Sequence, residues 1–247
     1  MRGFAGLLQM NLKLYVREPI ATFFTLAFPP LLVVLFGAMY GNEPTPVFGG
    51  YGTMDISMPA YTALILGTVG FLSVPITISG YRETGVLRRF KATPMRPGTY
   101  ILADIVANLV MTLLGMVGLV FVGWLIYRVR FDGQVAAVVA ATVFSGLSMF
   151  SIGYVIASLA PGARTAQVIG MVIFYPMMFL SGASMPLEIM PETIQRIADF
   201  LPLTYVVGLL RGLWFGDPWG SLLLETGVLA GVLVVCTALA ARVFRWD

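Results

Sequence analysis

Six stretches of this chain, residues 20–40, 59–79, 101–127, 134–159, 165–180 and 221–244, are apolar over lengths close to the thickness of a bilayer. A helix rises 1.5 Å per residue, so about 20 such residues cross roughly 30 Å of hydrocarbon. The fifth stretch gives only about 24 Å, short for a full crossing. Charged residues make up 11% of the chain and hydrophobic ones 58%, where a soluble domain has about 25% charged residues. The expected fold is an all-α polytopic membrane protein with six transmembrane helices. Spans and short connections use nearly all the chain, leaving no room for a separate soluble domain. Pro29-Pro30, Pro75 and Pro176 lie inside spans and predict kinks.

The connections set the orientation. Residues 80–100 hold the largest charge cluster: Arg82, Glu83, Arg88, Arg89, Lys91 and Arg96. A basic loop between two membrane-length segments faces the cytoplasm. Within it, 84–92 reads as a short helix with Val86, Leu87 and Phe90 on one side and Arg88, Arg89 and Lys91 on the other. Pro94 ends it, and Pro97 opens the next span. With six spans and both ends inside, Arg2, Lys13, Arg17, Arg82, Arg88, Arg89, Lys91, Arg96, Arg164, Arg242 and Arg245 lie inside. Arg128, Arg130, Arg196 and Arg211 lie outside. The turn with Arg128 and Arg130 is the one misfit to the positive-inside rule.

Two segments are neither spans nor plain loops. Residues 1–18 do not read as a signal peptide. As a helix they place Phe4, Leu7, Leu8, Leu12, Leu14 and Tyr15 on one face and Arg2, Gln9, Lys13 and Arg17 on the other, the pattern of an interfacial amphipathic helix. Asn11 breaks the apolar face without explanation. Residues 181–215 carry a small helix opened by Pro191 and an apolar run from Leu203 to Phe215 that is too short to span. They read as two short helices dipping into the outer leaflet.

The chemistry is sparse. The chain has no His and one Cys, Cys236, so an intrachain disulfide and a His or Cys metal site are not expected. The G-x-x-x-x-G-K-[ST] loop is absent, so the chain should not hydrolyse ATP itself. The basic residues flank spans and form no groove, which speaks against nucleic acid as a partner. Asp104 and Glu225 each sit about one turn into a span. Intramembrane acids are functional candidates, but near an interface each is expected to reach water or a helix end. Gly208-x-x-x-Gly212 and Gly227-x-x-x-Gly231 read as close helix packing. Met171, Phe174, Tyr175, Met177, Met178 and Phe179 either line an adaptable apolar path or face lipid and neighbouring helices.

The order of these features resembles the permease subunits of type-2 ABC exporters, with the ABCG-like membrane fold. Arg17-Glu18-Pro19 after an amphipathic helix is similar to the family's connecting helix. The run from Arg82 to Pro94 is similar to its coupling-helix pattern. Leu180-Ser181-Gly182 with Pro186-Leu187-Glu188 and Met190-Pro191, and then Leu201-Pro202-Leu203-Thr204-Tyr205 through Leu210-Arg211-Gly212, resemble its outer loop and re-entrant helix.

The resemblance implies a permease, nearest to drug and antibiotic exporters, that binds no cofactor itself. ATP and Mg would be used by a separate ATPase subunit, and a second permease copy, identical or related, would complete the path through the lipid bilayer. Arg17, Glu18, Arg82, Glu83, Arg88, Arg89, Phe90 and Lys91 would contact the ATPase. Phe71, Phe174, Tyr175, Met178 and Phe179 would line the substrate path, and Glu188 and Arg211 would form the outer gate. A bacterial or archaeal inner membrane is implied. Polysaccharide and lipid exporters share the layout. An ion-gradient-driven transporter is the alternative outside this class and would depend on Asp104 or Glu225. A lipid-acting membrane enzyme would need clustered acids, His or a metal site, which the chain does not offer.

Overall fold

The structure is a computed structural model that describes residues 2–17, 19–86 and 97–243. Among these residues there are helices and turns and no strand. Helix α1 spans Arg2–Arg17, and the turn Pro19–Thr22 leads into α2, Phe23–Tyr40. Then follow α3, Thr53–Glu83, α4, Pro97–Tyr127, α5, Val135–Leu159, and α6, Ala163–Leu180. Two short helices come next, α7, Glu192–Ala198, and α8, Pro202–Trp214, before α9, Leu223–Val243. Six of them, α2 to α6 and α9, are long and apolar enough to cross a membrane. The protein is a multi-pass membrane protein. Its basic end carries α1, the connection from α3 to α4 and the α5–α6 turn. Helices α7 and α8 sit at the opposite end.

Helix α3 is the centre of the bundle: 67% of its most apolar window is buried, against 6% for α9. It begins at Thr53, earlier than the apolar run at 59, because its first turn is capped from a distance. Gly52 precedes it and has no side chain to offer. Instead Asn42 Oδ1 accepts from the backbone N–H groups of Met54 (3.0 Å) and Asp55 (3.2 Å). Asp55 is itself buried, and its carboxylate accepts from Gly52 N–H at 2.9 Å, Asn42 Nδ2 at 3.0 Å and Arg130 N–H at 2.9 Å. Three donors satisfy a buried carboxylate without a cation. The turn after α4, which strains the charge rule, is thus tied to α3 through its backbone.

Two π-helical turns, Phe23–Ala27 in α2 and Val69–Ser73 in α3, lie just before Pro29-Pro30 and Pro75. A proline cannot donate to the carbonyl four residues back, and its ring crowds that carbonyl. Pro29 therefore frees Thr25, and Pro75 frees Phe71 and Gly70, its partners at four and five residues. Each freed carbonyl meets a glycine on a neighbouring helix. A Cβ built on Gly115 would stand 2.4 Å from Thr25 O, on Gly170 2.1 Å from Phe71 O, and on Gly153 2.1 Å from Gly70 O. The helices approach closely where the prolines loosen the backbone.

Some expectations need correction. In α1 the buried stripe is Leu7, Asn11 and Tyr15, so Asn11 lies at its middle, while Leu14 is exposed. Thr84 and Gly85 form a turn that closes α3, with Gly85 at φ +72°, and do not belong to a helix over 84–92. Residues 87–96, and with them Arg88, Arg89, Phe90 and Lys91, lie outside the described residues, as does Glu18. Among the described residues nothing lies within 4 Å of a Cβ on Gly227 or Gly231, whereas Gly208 and Gly212 back onto α9 and its approach. Helix α8, bent by 94° from α7, is consistent with the re-entrant helix expected there. Leu203, Val206, Leu209, Leu210, Leu213 and Trp214 are buried among α3, α5 and α9.

Candidate functional site

At the basic end, the last turn of α3 grips the α5–α6 turn. The Arg82 guanidinium donates to the Ala160 carbonyl at the end of α5. The Glu83 carboxylate accepts from Ala163 N–H, at the start of α6, at 3.0 Å. A carboxylate there satisfies an orphan donor and meets the positive end of the α6 dipole. Gly162 makes room for it: a Cβ on Gly162 would stand 2.7 Å from Glu83 Oε2. Sequence reading assigns Arg82 and Glu83 to a partner chain. The structure gives both a partner within this chain, which no side-chain motif announces because both partners are backbone groups. Arg17, at the end of α1, is exposed.

Of the five residues singled out for a substrate path, the structure brings three to one cavity. Phe174, Tyr175 and Met178 on α6 face Phe24 and Phe28 on α2 and Leu64 on α3 across a space of about 280 Å³. Its walls are mostly apolar, so it suits an apolar or amphipathic body. Phe71 does not line it. Phe71 is buried and stacks on Phe174 with ring centroids 6.1 Å apart, backing the wall from behind. Phe179 is 58% exposed on the outside of α6.

At the opposite end Glu188 and Arg211, the pair named for an outer gate, form an ion pair. It joins the loop after α6 to α8 and edges a cavity of about 530 Å³ between α3, α8 and α9. Glu225 also lines this cavity, beside Gly208. The end of α8 is fixed by Trp214, whose indole N–H donates to the Arg130 carbonyl at 2.9 Å and whose ring meets Phe131 edge-on. Between α7 and α8 the chain bends by 94°. Among the described residues, no group of three His, Cys, Asp or Glu side chains could hold a metal ion.

Residues 2–215 of this chain match a family profile, ABC-2 type transporter. The chain belongs to the ABC-2 type transporter family. Named relatives lie within it. Nodulation protein J of Rhizobium leguminosarum bv. viciae is 35% identical over 101 residues, 41% of this chain and 39% of that protein. The daunorubicin resistance ABC transporter permease protein DrrB1 of Streptomyces coeruleorubidus is 23% identical over 224 residues, 88% of this chain and 77% of that one. The probable multidrug ABC transporter permease YbhR of Escherichia coli K12 is 25% identical over 171 residues, 67% of this chain and 46% of that one. The match to the nodulation protein thus spans about two fifths of that relative's length, and the match to YbhR just under half. The ABC-2 match reaches from α1 to the end of α8.

Proposed function

We propose that this chain is the membrane-spanning permease subunit of an ATP-driven exporter and moves an amphipathic substrate outward. The match to the ABC-2 type transporter family over residues 2–215 carries this reading. ATP hydrolysis, with its Mg, belongs to a separate ATPase chain that docks at the basic end. Arg17, Glu18, Arg82, Glu83, Arg88, Arg89, Phe90 and Lys91 are its contact set. A second permease copy completes the path. The exposed apolar face of α6, with Val168, Val172 and Tyr175, is available to it or to lipid. Both termini lie in the cytoplasm of a bacterial or archaeal cell, and the membrane is its inner one.

The clamp gives this reading a physical route. ATP binding biases a two-state bundle toward one arrangement only through groups that differ between the two. The loop after Glu83 takes the push, and Arg82 and Glu83 pass it to the α5–α6 turn, hence to the helix that lines the apolar cavity. The predominantly apolar wall of Phe24, Phe28, Leu64 and Phe174 favours an amphipathic drug, antibiotic or lipid-like cargo over a polysaccharide.

The test is export from cells that make this chain with and without the ATPase from its own source. Lower accumulation of amphipathic dyes and antibiotics is expected only when both are present, and it should survive collapse of the ion gradients. Export by this chain alone, abolished by ionophores, would overturn the reading.

A further inference from the structure

Where α1 meets the bundle there is a small polar cavity that the transport reading does not use. Its volume is about 20 Å³, and Asn11 of α1, Ser73 and Thr77 of α3, and Asp104 and Asn108 of α4 line it. A space of that size holds one water-sized particle. Asp104 is 5% exposed. Its carboxylate accepts from Tyr154 Oη–H of α5 at 2.7 Å and from Asn108 Nδ2 at 3.3 Å. Its partners are thus side chains within the bundle, not a helix end. Asn11 is 7% exposed, and among the described residues neither its amide oxygen nor its nitrogen has a partner; the Asn108 amide oxygen also has none there.

These groups are oxygen-rich and carry one negative charge. No Lys or Arg among the described residues lines the cavity. The other titratable side chains on its walls are those of Tyr15 and Tyr81, and Tyr154 stands beside Asp104. A buried carboxylate without a cation is costly, and unpartnered amide oxygens beside it add to the cost. A divalent ion would leave an excess positive charge in an apolar bundle.

The geometry points to a binding site for one small monovalent cation, of sodium size, held by Asp104 with the amide oxygens of Asn11 and Asn108 and the hydroxyls of Ser73 and Thr77. Ser73 closes the π-helical turn of α3, and Asn11 is the one polar residue in the buried stripe of α1. The ion thus joins α1, α3 and α4 at the end where the ATPase reading places its partner. The site stands without that reading, because its test needs neither ATPase nor substrate.

The experiment is thermal unfolding of the purified full-length chain in detergent at pH 7.5. Choline chloride is replaced by sodium chloride at constant ionic strength. The midpoint is expected to rise with saturation, by about 2–4 °C for an ion that binds only the folded state. The rise should vanish in Asp104→Asn. If that variant does not fold, Asn11→Leu, at the edge of the bundle, is expected to fold and to lose the response as well. A wild-type midpoint indifferent to sodium overturns the site. So does a sodium response that survives in either variant.

Discussion

Glu83 has one carboxylate and holds the first exposed N–H of α6 with it. Removing such a cap costs about 0.5–2 kcal/mol, and solvent exposure here favours the lower half of that range. Glu83→Ala is therefore expected to lower the stability of the folded chain by about 1 kcal/mol. Gly162→Ala should cost a similar amount, because its Cβ would occupy the carboxylate's place. The two act on one contact, so the double variant should cost less than the sum of the singles. A thermal double-mutant cycle measures this, and strict additivity would show the contact to be absent. Little of this was legible in the sequence. Arg82 and Glu83 stood out as charges, but their partners are a carbonyl and an N–H about 80 residues away, and backbone groups leave no mark on a sequence. Asn11 was visible as an exception to an apolar face; that it faces a second Asn and an Asp on α4 depends on a packing that periodicity cannot supply.

At the scale of helices, the length and apolarity of each run place the six spans, and proline marks where they deviate. What proline alone does not tell is the register of the deviation. Here the π-helical turns put the freed carbonyls of Thr25, Gly70 and Phe71 against Gly115, Gly153 and Gly170. Gly153→Ala and Gly170→Ala should each destabilise the bundle by about 1–3 kcal/mol, the cost of overpacking against a backbone that cannot yield. Gly227→Ala should be neutral or stabilise by up to about 1 kcal/mol, since alanine is the better helix former and nothing lies within 4 Å. Unfolding midpoints of the three variants check this, and equal losses in all three would contradict the packing described. Helix α3 starts six residues before its apolar run for a related reason. The apolar run starts at Pro59, but Asn42, eleven residues before Thr53, supplies the cap. Asp55→Ala leaves the N–H groups of Gly52 and Arg130 without their acceptor and is expected to cost about 2–3 kcal/mol. Denaturation of that variant beside Asn42→Ala tests the shared network.

Across the whole molecule, two ends with different chemistry are joined by a bundle centred on α3. At the far end a partly exposed ion pair, Glu188 with Arg211, joins the loop after α6 to the anchored α8. Such a pair contributes no more than about 1 kcal/mol to stability. Arg211→Glu should therefore leave folding nearly intact while impairing export, and Glu188→Arg in the same chain should restore part of it; export assays paired with melting curves separate the two effects. The basic end carries the central claim, that this chain is worked by an ATPase it does not contain. The most direct measurement is ATPase activity of the chain purified alone and of the chain isolated by affinity from its native membrane. The account predicts activity only in the native isolate, and its loss when Arg88→Glu and Arg89→Glu are introduced together. A native isolate without ATPase activity, yet able to transport in liposomes under an ion gradient alone, would contradict it.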